Sequence, residues 1–228
     1  MKQNSISTYN EKSLHAELKK LYLRKEYKSE VYVNGYIVDI LTDDQQIIEI
    51  QTKGFAVIKR KLTNLIQTHK IKLVYPLAFE KYLFLYDKSE KNILYKRKSP
   101  KKQTIIDIVN ELIWIKPILA HRNFSLDVVF IKENEIRRND GKGSWRRKGI
   151  SIVDRNLIKV IKIQSFRKKK DYKCLLPGDC VKQFTNKQLA NILNISLRKT
   201  QKITYCLTEI GLLKKIDNKG RAYVYEKW

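Results

Sequence analysis

Apolar residues recur along this chain at two rhythms, one near every third or fourth position and one at every second, and the switches between them predict its elements. Leu14, Leu18 and Leu21 fall at helical spacing over 13–25, with Ser13 as the N-cap. Three strand-like runs follow at 30–33, 36–41 and 46–52. Asn34-Gly35 joins the first pair as a two-residue hairpin turn, and the polar stretch 42–45 joins the second. After Gly54 the pattern returns to a helix, with Phe55, Ile58, Leu62, Leu65, Ile66 and His69 on one side and Lys59, Arg60 and Lys61 towards the other. Strands at 72–75 and 81–86, a basic polar connection at 88–102, a helix at 105–119 and a strand at 125–131 follow. Gly141, Gly143 and Gly149, set among Arg and Lys, give 137–149 the composition of an exposed loop. The domain boundary is expected there, between a domain at 1–140 and a smaller one at 141–228.

The smaller domain carries the densest local signals. Thr185 and Gln188 form a capping box, each side chain satisfying a backbone N–H that the first helical turn leaves open. Leu189, Ile192 and Leu193 give that helix an apolar face, Asn194-Ile195 break it, and Ser196 caps a second helix in which Ile203, Leu207 and Ile210 share a side. Gly211 ends it as a left-handed C-cap. Arg198, Lys199, Gln201, Lys202 and Tyr205 occupy the opposite side, and all can donate to phosphates or base edges. Strand-like runs at 212–216 and 222–225 flank a turn at 217–220 that brings Lys219 and Arg221 beside this helix. With a helix expected near 154–163, residues 150–228 resemble the winged helix-turn-helix superfamily. The resemblance implies a small α+β domain gripping duplex DNA; the alternative is a protein-interaction wing with a solvated basic face.

Charge points the same way. The chain has 48 Lys and Arg against 23 Asp and Glu, a formal net charge of +25 over 228 residues. A field of that sign concentrates polyanions, and each cation laid on a phosphate releases counterions. The basic residues are spread over several elements instead of lining one amphipathic helix, which favours nucleic acid over a membrane surface. No apolar run spans a bilayer, and the start lacks the apolar core of a secretory signal. A cytoplasmic, nucleoid-associated protein is expected. Cys174, Cys180 and Cys206 form no CxxC pair, so neither a zinc site nor a disulfide framework is indicated.

Carboxylates inside apolar strands supply the candidate chemistry. Asp39 lies within 36–41 and Glu49 within 46–52, runs too apolar for freely solvated acids. Two such residues on adjacent strands can converge, and oxygen ligands of this kind suit magnesium. Glu17 sits among Leu14, Leu18 and Leu21, where an unpartnered carboxylate is costly. The succession of a helix with an acid, a strand with Val38-Asp39, a strand with Glu49-x-Gln51, then a helix and a strand resembles the PD-(D/E)xK nuclease superfamily, and within it archaeal Holliday junction resolvases. The resemblance covers roughly residues 10 to 86. It implies an α/β restriction-endonuclease-like fold, with a mixed central sheet flanked by helices. It also implies a metal-dependent DNA endonuclease in which Asp39 and Glu49 hold Mg²⁺, or Mn²⁺, to activate water on duplex or branched DNA. Where the family usually has Lys this chain has Gln51, which can orient but cannot supply charge; Lys53, two residues on, is a candidate substitute. The alternative from another class is a DNA-binding regulator or scaffold with a degenerate nuclease-like domain. An RNA-directed enzyme fits less well, because the A-form major groove is too deep and narrow for a helix.

Trp145, between Ser144 and Arg146-Arg147, combines an aromatic face with charge and suits either stacking on a base or packing at a domain junction. His121 reads as a partner of a helix C-terminus. The run at 167–170 reads as a solvated basic linker adding nonspecific phosphate affinity. Cutting both strands ordinarily calls for two active sites, which points to a homodimer.

Overall fold

The computed structural model describes residues 13–178 and 182–227. Cys180 and the first twelve residues, on which the leader reading rests, lie outside them. The elements are α1 (Ser13–Tyr22), β1 (Lys28–Val33), β2 (Tyr36–Leu41), β3 (Ile47–Ile50), α2 (Lys59–Leu65), β4 (Ile71–Tyr86), β5 (Ile93–Lys98), α3 (Val109–Leu112), β6 (Phe124–Asn139) and β7 (Ile150–Phe166). They continue with β8 (Gln183–Thr185), α4 (Asn186–Leu193), α5 (Leu197–Glu209), β9 (Leu213–Lys219) and β10 (Ala222–Lys227).

A mixed seven-stranded sheet in the order β1-β2-β3-β4-β6-β7 forms the centre, with β5 against the far end of β4. Helices flank it, so the class is α/β. Asn34 and Gly35 both have positive φ, at 48° and 82°, the twist-matched turn that lets β1 and β2 pair directly. β3 then runs parallel to β4, and β4 parallel to β6. One face carries Leu14 and Leu18 of α1 on Ile40, Ile48, Ile50, Val74, Val129 and Ile131. Complete burial of a leucine such as Leu18 stabilises by about 2 kcal/mol. Leu21, at the same spacing, is exposed because α1 ends one residue later.

Four sequence expectations change. The strands expected at 72–75 and 81–86 are one strand, β4, which tolerates Pro76 because pairing with β3 stops at Val74 and that side is then free of a strand. The basic connection 88–102 contains β5, paired with β4 from Tyr82 to Tyr86. The helix expected at 105–119 is broken into 3₁₀ turns around the four-residue α3, and Pro117 opens the last of them. Most consequentially, 154–163 is strand, not helix. Ile150, Ile152, Val153, Val160, Ile161 and Ile163 make β7 rich in β-branched residues, and it pairs with β6 along its length. The glycine-rich segment where the boundary was expected is therefore the turn of the β6–β7 hairpin, and the sheet closes only at Phe166. Gly143 is required there, since a Cβ would lie 1.8 Å from the Ile150 carbonyl oxygen.

The C-terminal elements follow expectation closely. β8, β10 and β9 form an antiparallel three-stranded sheet carrying α4 and α5. The Gln188 amide N–H donates to Thr185 Oγ1 at 3.3 Å and Thr185 N donates to Gln188 Oε1 at 2.8 Å, the capping box in full. Asn194 ends α4 in the left-handed region, the Lys199 N–H donates to Ser196 Oγ, and Gly211 takes φ +65°. The turn between β9 and β10 lies at Gly220-Arg221, three residues beyond the expected start of the turn at 217, so the hairpin is longer. Phe184, Leu189, Ile203, Leu207 and Tyr225 join α2, residues 105–119 and the second face of the large sheet in one continuous apolar cluster.

Candidate active site and basic surface

Asp39 and Glu49 meet because β2 and β3 are antiparallel neighbours, with Ile40 opposite Ile48 and Leu41 opposite Ile47, which sets the two acids side by side. The Ile50 N–H donates to Asp39 Oδ2 at 2.7 Å, and the Asp39 N–H reaches Glu49 Oε1 at 3.4 Å. From α1, His15 Nε2 lies 3.4 Å from Asp39 Oδ2. From α2, Lys61 Nζ lies 2.5 Å from Glu49 Oε1 and donates to the Ile37 carbonyl at 2.6 Å. These side chains and Gln51 line one open cavity of about 240 Å³.

Its electrostatics separate the two carboxyls. Burial, and behind it the Asp39 charge, push Glu49 up to about 7, although Lys61 limits the rise. Burial would also raise Asp39, but His15, the Ile50 amide and Lys61 outweigh it and hold Asp39 below the usual carboxylate range. Near neutral pH the pair thus holds one firm negative charge and one that is readily gained or lost.

The remaining candidates divide. Gln51 is in the cavity, its amide donating to the Gly54 carbonyl at 3.0 Å. Glu17 is turned away and accepts the Leu157 N–H of β7 at 2.6 Å, which answers the cost of an acid on an apolar helix face without bringing it to the pair. Lys53 is exposed on the loop after β3 and does not line the cavity. The ammonium group in the cavity is Lys61. Helical periodicity placed it on the side away from the core, and from that side of α2 its ammonium reaches Glu49 on the interior strand β3. His15 gave no sequence signal beyond its position between Leu14 and Leu18. Among the described residues, no group of three or more His, Cys, Asp or Glu is arranged to hold a metal ion.

The basic helix is also divided. Arg198 and Gln201 of α5 are exposed. Lys199 Nζ instead lies 2.6 Å from Asp107 Oδ1, Lys202 Nζ lies 2.8 Å from Asn110 Oδ1, and Tyr205 meets Lys116, whose ammonium lies 3.9 Å from its ring centroid. α5 is therefore docked on residues 105–116, and three of its five expected groove-facing side chains have partners there. Lys219 and Arg221 are exposed at the tip of the β9–β10 hairpin. Trp145 is 83% exposed at the β6–β7 turn with the Arg146 guanidinium 5.6 Å from its ring, while Arg147 Nε donates to the Ile150 carbonyl. Exposure on that scale excludes packing at a domain junction.

The chain belongs to the family described as a domain of unknown function (DUF8091), whose match spans residues 12–167. That span ends one residue past β7 and thus takes in the whole seven-stranded sheet. The chain is also 33% identical over 165 residues to an uncharacterized protein of Treponema pallidum (strain Nichols), covering 72% of this chain and 65% of the relative, so it spans less than two thirds of that protein. No solved structure matches the chain. No helix among the described residues is long and apolar enough to cross a membrane.

Proposed function

We propose that the protein is a metal-dependent DNA endonuclease with a restriction-endonuclease-like domain at its N-terminal side and a winged helix at its C-terminal side. The observation that carries this reading is the convergence of Asp39, Glu49 and Lys61 in one cavity at the end of a strand, in a chain of net charge +25. The order α1, three antiparallel strands, α2 and a parallel strand supports the nuclease fold. The order β8, α4, α5, β9, β10 supports the winged helix.

Asp39 and Glu49 are the residues that would hold Mg²⁺ or Mn²⁺; two carboxylates are a sufficient protein share for magnesium, which keeps waters and substrate oxygens in its remaining positions. When bound, the ion supplies Lewis-acid stabilisation of the phosphate and a more acidic water. A Glu49 carboxyl near neutrality suits this role, because a cation favours its ionised form. Lys61 places positive charge where phosphate charge develops, the part Gln51 cannot play. Gln51, tied to Gly54, fixes the loop that closes the cavity. Arg198, Gln201, Lys219, Arg221 and the Trp145–Arg147 turn present the exposed donors for duplex or branched DNA. Among the described residues one such cavity is present, and cleavage of both strands ordinarily calls for two, supplied by a homodimer.

Purified protein incubated with supercoiled plasmid and with a four-way junction should cut in Mg²⁺ or Mn²⁺. Asp39→Ala should lose at least about 10³-fold in rate while keeping its DNA affinity without metal, since the change removes charge stabilisation and not the basic surface. DNA binding by the wild type with no cleavage in either metal would overturn the enzyme and leave a DNA-binding regulator.

A further inference from the structure

A second cavity of about 340 Å³ lies at the opposite end of β3 from the carboxylate pair, and its chemistry is reversed. Gln46, just before β3, Lys70 and Lys72 at the start of β4, Arg122 before β6, Ser125 within it and Arg167 just after β7 converge there. Strand pairing brings them together. Lys72 is opposite Ser125, and Leu126 is opposite Phe166, so Arg167 falls next to Ser125 in the same row across the sheet. Neighbouring strands are about 4.8 Å apart, which spaces the Lys72 and Arg167 backbones by roughly 10 Å, room for one tetrahedral anion between their side chains. Gln46 precedes β3 and Gln51 follows it, so the two cavities stand about 16 Å apart along that strand.

No carboxylate lines the cavity, and among the described residues none of its four cations is in direct ion-pair contact, although Lys70 is near enough to Asp44 to help lower that carboxyl. Several cations that gather beside acids are paired, Lys61 with Glu49, Lys81 with Glu133 and Glu135, Lys116 with Glu209 and Lys199 with Asp107, whereas the four here share a concave site that no acid lines. The floor is fixed, since Ser125 Oγ donates to the Ile71 carbonyl and Asn123 Nδ2 to the Ile66 carbonyl. Like charges gathered over one floor repel one another, and a multiply charged anion between them relieves that repulsion.

We infer that this cavity is a binding site for a phosphate group carrying more than one negative charge, a phosphomonoester or an oligophosphate. A backbone phosphodiester has a single charge and would leave most of the four unmatched, whereas a dianion or a diphosphate pairs with Arg122 and Arg167 in their fork geometry and with Lys70 and Lys72 as point charges. The site is independent of the nuclease reading. Two sources offer the same chemistry, the 5′-phosphorylated end of a nucleic acid strand and a free phosphorylated small molecule.

The test uses the full chain without divalent metal and three probes: inorganic pyrophosphate, and a fluorescent dodecamer strand with either a 5′-phosphate or a 5′-hydroxyl. Calorimetry should show one saturable pyrophosphate site per chain, weakened at least tenfold in the Arg122→Ala, Arg167→Ala double variant and unchanged in a Lys96→Ala, Arg97→Ala variant that removes the same charge from β5. All four side chains are outside the core, so the variants should fold; circular dichroism and melting confirm it. If the 5′-phosphorylated strand binds tenfold tighter than the hydroxyl strand and the Arg122/Arg167 variant abolishes the difference, the occupant is a strand end. If pyrophosphate binds and the two strands do not differ, it is a small molecule. Absence of saturable pyrophosphate binding, or equal weakening by both double variants, would overturn the site.

Discussion

Lys61→Met should lower the rate of the proposed metal-dependent cleavage by about 10² to 10³-fold, the range for removing one preorganised charge from a developing oxyanion. A second consequence distinguishes this role from a merely structural one. Lys61 is among the causes that hold Glu49 down near 7, so its removal should move the Glu49 carboxyl further up. The ionised form is the one that would hold a metal, and the rising limb of the pH–rate profile should therefore shift to more alkaline pH. Lys61→Arg should return the limb towards its original place, because charge is restored, but not the full rate, because the guanidinium has a different reach. The Glu49 carboxyl carbon can be followed by NMR titration without turnover. A Lys61→Met protein whose rate and Glu49 titration both match the wild type would remove Lys61 from the site.

The second large effect is on stability. Lys81 bridges two buried carboxylates, with Nζ at 2.9 Å from Glu133 Oε1 and 2.5 Å from Glu135 Oε2. Glu133 also has Arg155 at 3.8 Å, and Glu135 has Arg137 at 2.6 Å. Arg155 in turn donates to the Thr52 carbonyl at 2.6 Å, so the network braces the loop after β3. Removing one partner from a buried ion pair costs about 3 kcal/mol because the other charge stays dry and uncompensated. In a chain of this size, Lys81→Met should lower the melting temperature by about 6 to 12 °C. Glu135 is pulled in two directions, raised by burial and lowered more by Lys81 and Arg137, and its net shift is downward. A carboxylate lowered in the folded state stabilises above its unfolded value and loses that contribution as pH falls through the folded one. The gap between wild type and variant should therefore be full at neutral pH and shrink in acid. Adding Glu133→Gln and Glu135→Gln to Lys81→Met should recover most of the loss. A melting curve for Lys81→Met that overlays the wild type would show that the bridge is worth no more than a surface pair.

Where local rules decide structure, the sequence was legible. The Asn34-Gly35 turn, the Thr185 capping box, the Ser196 cap and Gly211 each depend on one or two residues and were found in place. β7 was misread because its Ile and Val residues have spacings that a helix can also accommodate, and only the partner strand β6, itself read eight residues too short at 131, decides between them. Asp39 and Glu49 could be paired from a hairpin-like succession of strands. Lys61 could not, since nine residues of loop and helix separate it from Gln51 and its approach depends on how α2 lies against β2 and β3. Glu17 was rightly judged to need a partner, but a backbone N–H on a strand 140 positions away satisfies it. Nothing along the chain announced that Lys199, Lys202 and Tyr205 would be occupied by residues 105–116.

That occupation sets a condition on any duplex approaching α5. A strand that uses only Arg198, Gln201 and the hairpin tip meets donors already facing water. One that draws on Lys199 must displace the Asp107 carboxylate, leaving a partly covered acid next to its own phosphates. Shallow seating is thus open to any duplex, whereas deep seating in the major groove requires the helix to separate from residues 105–116. On the proposed DNA-binding reading, the contact with residues 105–116 is therefore what limits how closely α5 can approach a duplex.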